Sequence, residues 1–93
     1  MDLHLSDIEF VEAMPADRET GLVGYVQLVL NGSMRVTGIS VRREWNGRFS
    51  ISYPIRRNSK GVTFPILRPV NADVRRDFES QLLSELAKRG IAP

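Results

Sequence analysis

The side chains best suited to chemistry in this sequence are arginines, and they are interleaved with aromatic residues. Trp45 stands between the Arg42-Arg43 pair and Arg48, and Tyr53-Pro54-Ile55-Arg56-Arg57 is followed closely by Lys60. Arg68 and Asn71 then precede a run that holds Arg75 and Arg76. A guanidinium group presents a planar fork of donors that matches a phosphate or the edge of a guanine. Such clusters gain free energy from counterion release on a nucleic-acid backbone. An exposed Trp or Tyr adds base stacking worth about 1–3 kcal/mol per base. Each feature also has a plainer reading. Trp45 folds over its hairpin onto the core, Arg56, Arg57 and Lys60 lie on a solvated loop, and Arg75 and Arg76 are offset along a helix by Asp73 and Asp77.

Other chemistry finds little to work with. There is no cysteine and one histidine, which excludes a zinc finger, an iron–sulfur cluster, a thiol nucleophile and a disulfide scaffold. His4 lies alone among acidic residues, where a surface position is the ordinary one. The spacing of Asp2, Asp7, Glu9 and Glu12 matches no calcium loop, and Gly21 and Gly24 open no phosphate-binding helix. Ser50 and Ser52 lack a recognisable base. The expectation is therefore a non-enzyme with no cofactor, no metal and no small-molecule substrate. The absence of cysteine favours a reducing, cytoplasmic setting. No apolar run approaches the roughly 18 residues of a membrane span, and the first residues do not read as a signal peptide, so no membrane partner is expected.

Net charge gains meaning when it is divided along the chain. The 93 residues sum to +2. Residues 1–20 hold six acids and one base, a net −5, whereas residues 21–69 hold eight bases and one acid, a net +7. Residues 70–93 are neutral, and 11 of the 13 bases are arginine, the side chain suited to phosphate contact.

The elements that must position these bases are four to five strands and one helix. Leu3 to Val11 reads as a strand with an irregularity near Ser6-Asp7, because its apolar parity switches there. Met14 to Thr20 reads as a connection. Gly21 to Leu30 is apolar on both parities, as in a strand covered on both faces or a strand at an interface. Asn31-Gly32 signals a hairpin, although a strict two-residue turn would oppose Leu28 to Arg35 and Val26 to Thr37. A bulge at Gly38 explains why the parity of the return strand, Met34 to Glu44, switches.

A Trp45-Asn46-Gly47 loop then pairs Arg43 with Phe49, Val41 with Ile51 and Ile39 with Tyr53. Ile55 to Gly61 reads as a polar, basic loop. Val62 to Arg68 reads as an edge strand, since Pro65 lacks a backbone donor. Asn71 is a fair N-cap for a helix whose stripe is Val74, Phe78, Leu82 and Leu86, widened by Leu83 and Ala87 and closed by Gly90. The fold class is α+β, a single domain over residues 1–93. It is an antiparallel β-meander of four to five strands with the C-terminal helix packed on one face.

This order of motifs resembles the stage V sporulation protein G (SpoVG, septation protein) family. The resemblance runs over roughly residues 3 to 88. It is carried by Asp7-Ile8, the strand ending at Asn31-Gly32, Val36-Thr37-Gly38-Ile39-Ser40-Val41, Asn46-Gly47, Tyr53-Pro54-Ile55-Arg56-Arg57 and Arg68-Pro69-Val70-Asn71. Arg68 stands where the family usually has His, Tyr53 where it has Met, and the loop after Arg57 is short. The resemblance implies a small homodimer, assembled through β-strands, that binds DNA or RNA as a regulator linked to septation and sporulation. The family's basic motif falls on Arg56 and Arg57, and its helix approach on Arg68, Asn71 and Arg75.

Two functional readings follow. In the first, Arg42, Arg48, Arg56, Arg57, Lys60 and Arg68 hold phosphates while Arg75, Arg76 or Trp45 read bases. The alternative is a protein-interaction module of the division machinery, in which the acidic and basic segments meet partners or each other.

Overall fold

Four strands follow one another through the main sheet of the computed structural model, which describes residues 2–93. They are β1 (Leu5–Glu12), β2 (Leu22–Leu30), β3 (Met34–Arg43) and β4 (Phe49–Ser52), antiparallel and adjacent in chain order. A single helical turn, α1 (Pro15–Arg18), links β1 to β2. β5 (Ile55–Arg57) and β6 (Thr63–Pro65) form a separate two-stranded sheet, and α2 (Ala72–Lys88) follows. The expected α+β meander with its C-terminal helix is present.

Parity switches in the sequence mark real irregularities. The β1–β2 register shifts between Ser6 and Glu9, where Asp7 takes φ 48°. The β2–β3 register shifts opposite Thr37-Gly38, with Gly38 at φ 82°, a region that favours glycine. The first hairpin corrects the two-residue expectation. Asn31, Gly32 and Ser33 form a three-residue loop that pairs Leu30 with Met34 and is closed by the Ser33 N–H donating to the Leu30 carbonyl at 3.1 Å. The extra residue brings Leu28 opposite Val36, so two buried apolar side chains replace the Leu28–Arg35 mismatch.

The second hairpin forms as expected, with Arg43 opposite Phe49, Val41 opposite Ile51 and Gly47 at φ 84°. Its ladder ends at Ser40–Ser52, so the anticipated Ile39–Tyr53 pair lies outside it.

Helix α2 covers one sheet face. Phe78, Leu82 and Leu86 are buried against Ile8, Val26, Leu28, Val36, Ile39, Val41 and Ile51, with Val74 and Leu83 at the margin and Ala87 exposed. Burying a residue of this kind contributes about 1.5–3 kcal/mol. Both ends of the helix are closed. Asn71 Oδ1 accepts from the Val74 N–H at 2.9 Å, and at the far end the Gly90 and Ile91 N–H groups donate to the carbonyls of Ala87 and Leu86.

Among the described residues no helix or strand is packed over the opposite sheet face. β2 is therefore covered on one face only, and Tyr25 is exposed on the other.

The segment expected as a basic loop is the larger correction. Ile55–Arg57 is a strand, and with Thr63–Pro65 it makes a ribbon closed by an Asn58–Val62 turn. Pro54 stops β4 without ending extended backbone, and Pro65 is tolerated because a two-stranded ribbon is all edge. The Ile66 N–H donates to the Pro54 carbonyl at 3.0 Å, tying the base of the ribbon together.

Candidate nucleic-acid interface

The candidate residues fall on three elements, and their charge pairing divides them sharply. The four ion pairs among the described residues are Arg18–Glu12, Arg75–Glu79, Arg76–Asp73 and Lys88–Glu85. None involves a base from residues 21–69. The +7 segment thus makes no ion pair among the described residues, and its one acid, Glu44, accepts from the Ser50 hydroxyl.

The β3–β4 hairpin carries Arg42, Arg43, Trp45 and Arg48. Trp45 is 96% exposed at the tip, which excludes folding over onto the core. The turn is held by the Glu44 N–H donating to the Arg48 carbonyl at 2.8 Å and the Arg48 N–H to Asn46 Oδ1 at 2.9 Å. Arg42 donates to the Thr20 carbonyl at 3.1 Å and keeps its charge unpaired. Arg43 lies 5.0 Å over the Phe49 ring, a cation–π contact set by their cross-strand register. Arg43 and the exposed Arg35 were not among the expected site residues, although the basic run in the sequence contains both.

The β5–β6 ribbon carries Arg56, Arg57 and Lys60, all exposed. From residue 53 to residue 69 there are four bases and no acid. A short ribbon with a basic tip is the kind of element that a duplex groove admits.

At the approach to α2, Arg68, Asn71 and Arg75 line a cleft of about 560 Å³ with Pro69, Val70 and Ala72. Its members are more committed to the fold than those of the hairpins. The Asn71 oxygen caps the helix. Arg75 lies 3.5 Å from the Glu79 carboxylate and 6.0 Å over the Tyr53 ring, while the Tyr53 hydroxyl donates to Glu79 at 2.7 Å. Burial, and then the hydrogen bond to the Glu79 carboxylate, push the Tyr53 phenol well above its ordinary value. Arg76 pairs with Asp73, and Asp77 accepts from the Gln81 amide at 3.0 Å. The helix arginines are thus ion-paired, through Glu79 and Asp73 rather than through Asp73 and Asp77. Arg68 alone in this group has no carboxylate partner.

Among the described residues no cluster of three metal-ligating side chains occurs, and no helix is long and apolar enough to cross a membrane. No family model and no curated protein matches this chain.

Proposed function

We propose that this chain is a non-enzymatic nucleic-acid-binding regulator of the septation and sporulation type. It works in the cytoplasm as a homodimer, with DNA or RNA as its partner and without a cofactor or small-molecule substrate. One observation carries the reading: all eight bases of residues 21–69 lack a carboxylate partner, and six of them lie on or beside two hairpins. Unpaired arginines on exposed turns pay no penalty for breaking an existing ion pair when they meet a phosphate. Arg42, Arg48, Arg56, Arg57, Lys60 and Arg68 hold the backbone, and Trp45 stacks on a base from the hairpin tip. Arg75 and Arg76 have carboxylate partners to leave before they can read a base, which ranks them behind Trp45.

A mobility-shift series on duplex DNA, single-stranded DNA and RNA tests this reading. Six phosphate contacts weaken duplex binding about a thousandfold between about 50 and about 200 mM salt. Absence of binding at the lower salt, or binding insensitive to salt, would overturn it. Capture of a protein partner that survives nuclease treatment would point instead to the interaction-module reading.

A further inference from the structure

We infer that the β5–β6 ribbon is a docking arm, whose apolar face seats in the groove beside Tyr25 of a second copy of this chain. The inference rests on the homodimer proposed above and gives it a surface. An isolated two-stranded hairpin is marginal in water, and this one has strands of three residues. It nonetheless exposes large apolar side chains. Phe64 is 47% exposed and Ile66 63%.

Strand alternation sorts the ribbon into two faces. Arg56 opposes Phe64 across the ladder, so the two share a face, and Val62 and Ile66, which flank the strand, have the parity of Phe64. Arg57, opposite Thr63, and Ile55, opposite Pro65, lie on the other face. One face is apolar with a single cation. The other keeps Arg57 beside the basic turn that holds Lys60.

The receiving surface has the complementary character. The uncovered face of the main sheet holds a shallow groove of about 190 Å³ lined by Glu9, Val11, Tyr25, Gln27, Thr37 and Gly38. Val11 and Tyr25 face each other across β1 and β2, and both are exposed. Glu9 sits two residues before Val11 on the same face, within the net −5 segment. An apolar floor with an acidic margin thus matches an apolar ribbon face with one arginine.

Position supports reciprocity. A Cβ placed on Gly38, in the wall of the groove, would lie 3.0 Å from the Pro54 Cβ, at the root of the ribbon. The arm therefore springs from beside the groove, so a two-fold axis near Gly38 sets each arm against the other copy's groove and closes the assembly at two chains. Docking places Arg56 against Glu9 of the second copy and leaves Arg57 and Lys60 for phosphate, which narrows the binding set.

Light scattering and dilution sedimentation of the full chain test this, with duplex binding measured on the same samples. Phe64→Asp weakens the dimer at least about thirtyfold. Because that change also alters the ribbon itself, a charge pair gives a second reading. Arg56→Glu and Glu9→Arg each weaken the dimer about tenfold, and the two together restore it to near the wild-type value. Arg57→Glu leaves the dimer intact and weakens duplex binding. A dimer unaffected by Phe64→Asp, or no rescue in the double variant, overturns the docking arm while the homodimer stands. A wild-type chain that stays monomeric overturns both, and duplex binding then stands or falls by its own measurement.

Discussion

In the body of the molecule, Leu28, Ile39, Val41, Leu82 and Leu86 lose essentially all contact with water, and the arginines of α2 lie against carboxylates. In the β5–β6 ribbon, Ile55, Phe64 and Ile66 face solvent, and Arg56, Arg57 and Lys60 make no ion pair with the described residues. The same residue types are thus satisfied within the chain in one region and left open in the other. Apolar surface and unpaired cations retained together on a short ribbon are what the proposed function and the proposed docking arm both draw on.

The largest expected effect tests the body. Leu82→Ala, at a position with no solvent exposure, lowers stability by about 3 kcal/mol in urea unfolding. Ile66→Ala in the ribbon, at concentrations dilute enough to keep the chain monomeric, changes it by no more than about 0.5 kcal/mol. Comparable losses at the two sites would erase the distinction between the regions. At the other hairpin, Trp45→Ala weakens single-stranded nucleic-acid binding by about 1–3 kcal/mol and leaves the urea midpoint where it was. A shifted midpoint would mean that Trp45 supports the fold.

Two smaller changes examine the helix approach. Asn71→Ala removes the cap and costs about 1 kcal/mol of stability, with duplex binding unchanged once the protein is folded. Tyr53 supplies a pH test. Its phenol is raised in the folded state, so its contribution is fully present below about pH 10 and is lost as pH climbs toward the higher folded value. Stability therefore falls on the alkaline side of about pH 10, and Tyr53→Phe removes that part of the decline while costing about 1 kcal/mol at neutral pH. A variant that keeps the full alkaline decline would assign it to other groups.

Much of the body was legible in the sequence because its signals are local. The i+4 stripe of Phe78, Leu82 and Leu86, the Asn71 cap, and the parity switches at Asp7 and Gly38 each report one strand or one helix. The Asn31-Gly32 turn was legible as a turn but not in length, since the third residue is chosen by the distant pairing of Leu28 with Val36. The ribbon was harder to see. Its second strand was legible, with Pro65 as an edge position, whereas Ile55–Arg57 is too short to show alternation and stands directly after Pro54, which reads as a break.

For the site, the bases were legible as a run, while their pairing was not. Glu79 lies four residues beyond Arg75, but its pairing is not visible in the helix sequence alone, because the carboxylate also accepts from the Tyr53 hydroxyl of another part of the chain.

The proposed function puts phosphate on the ribbon's unpaired bases. The most direct measurement is the slope of log affinity against log salt for a DNA duplex, comparing wild type with Arg57→Ala, Lys60→Ala. Each lost duplex contact lowers the slope by about 0.9, so the double change flattens it by about 1.8. An unchanged slope, with or without a loss of affinity, would contradict phosphate capture by the ribbon.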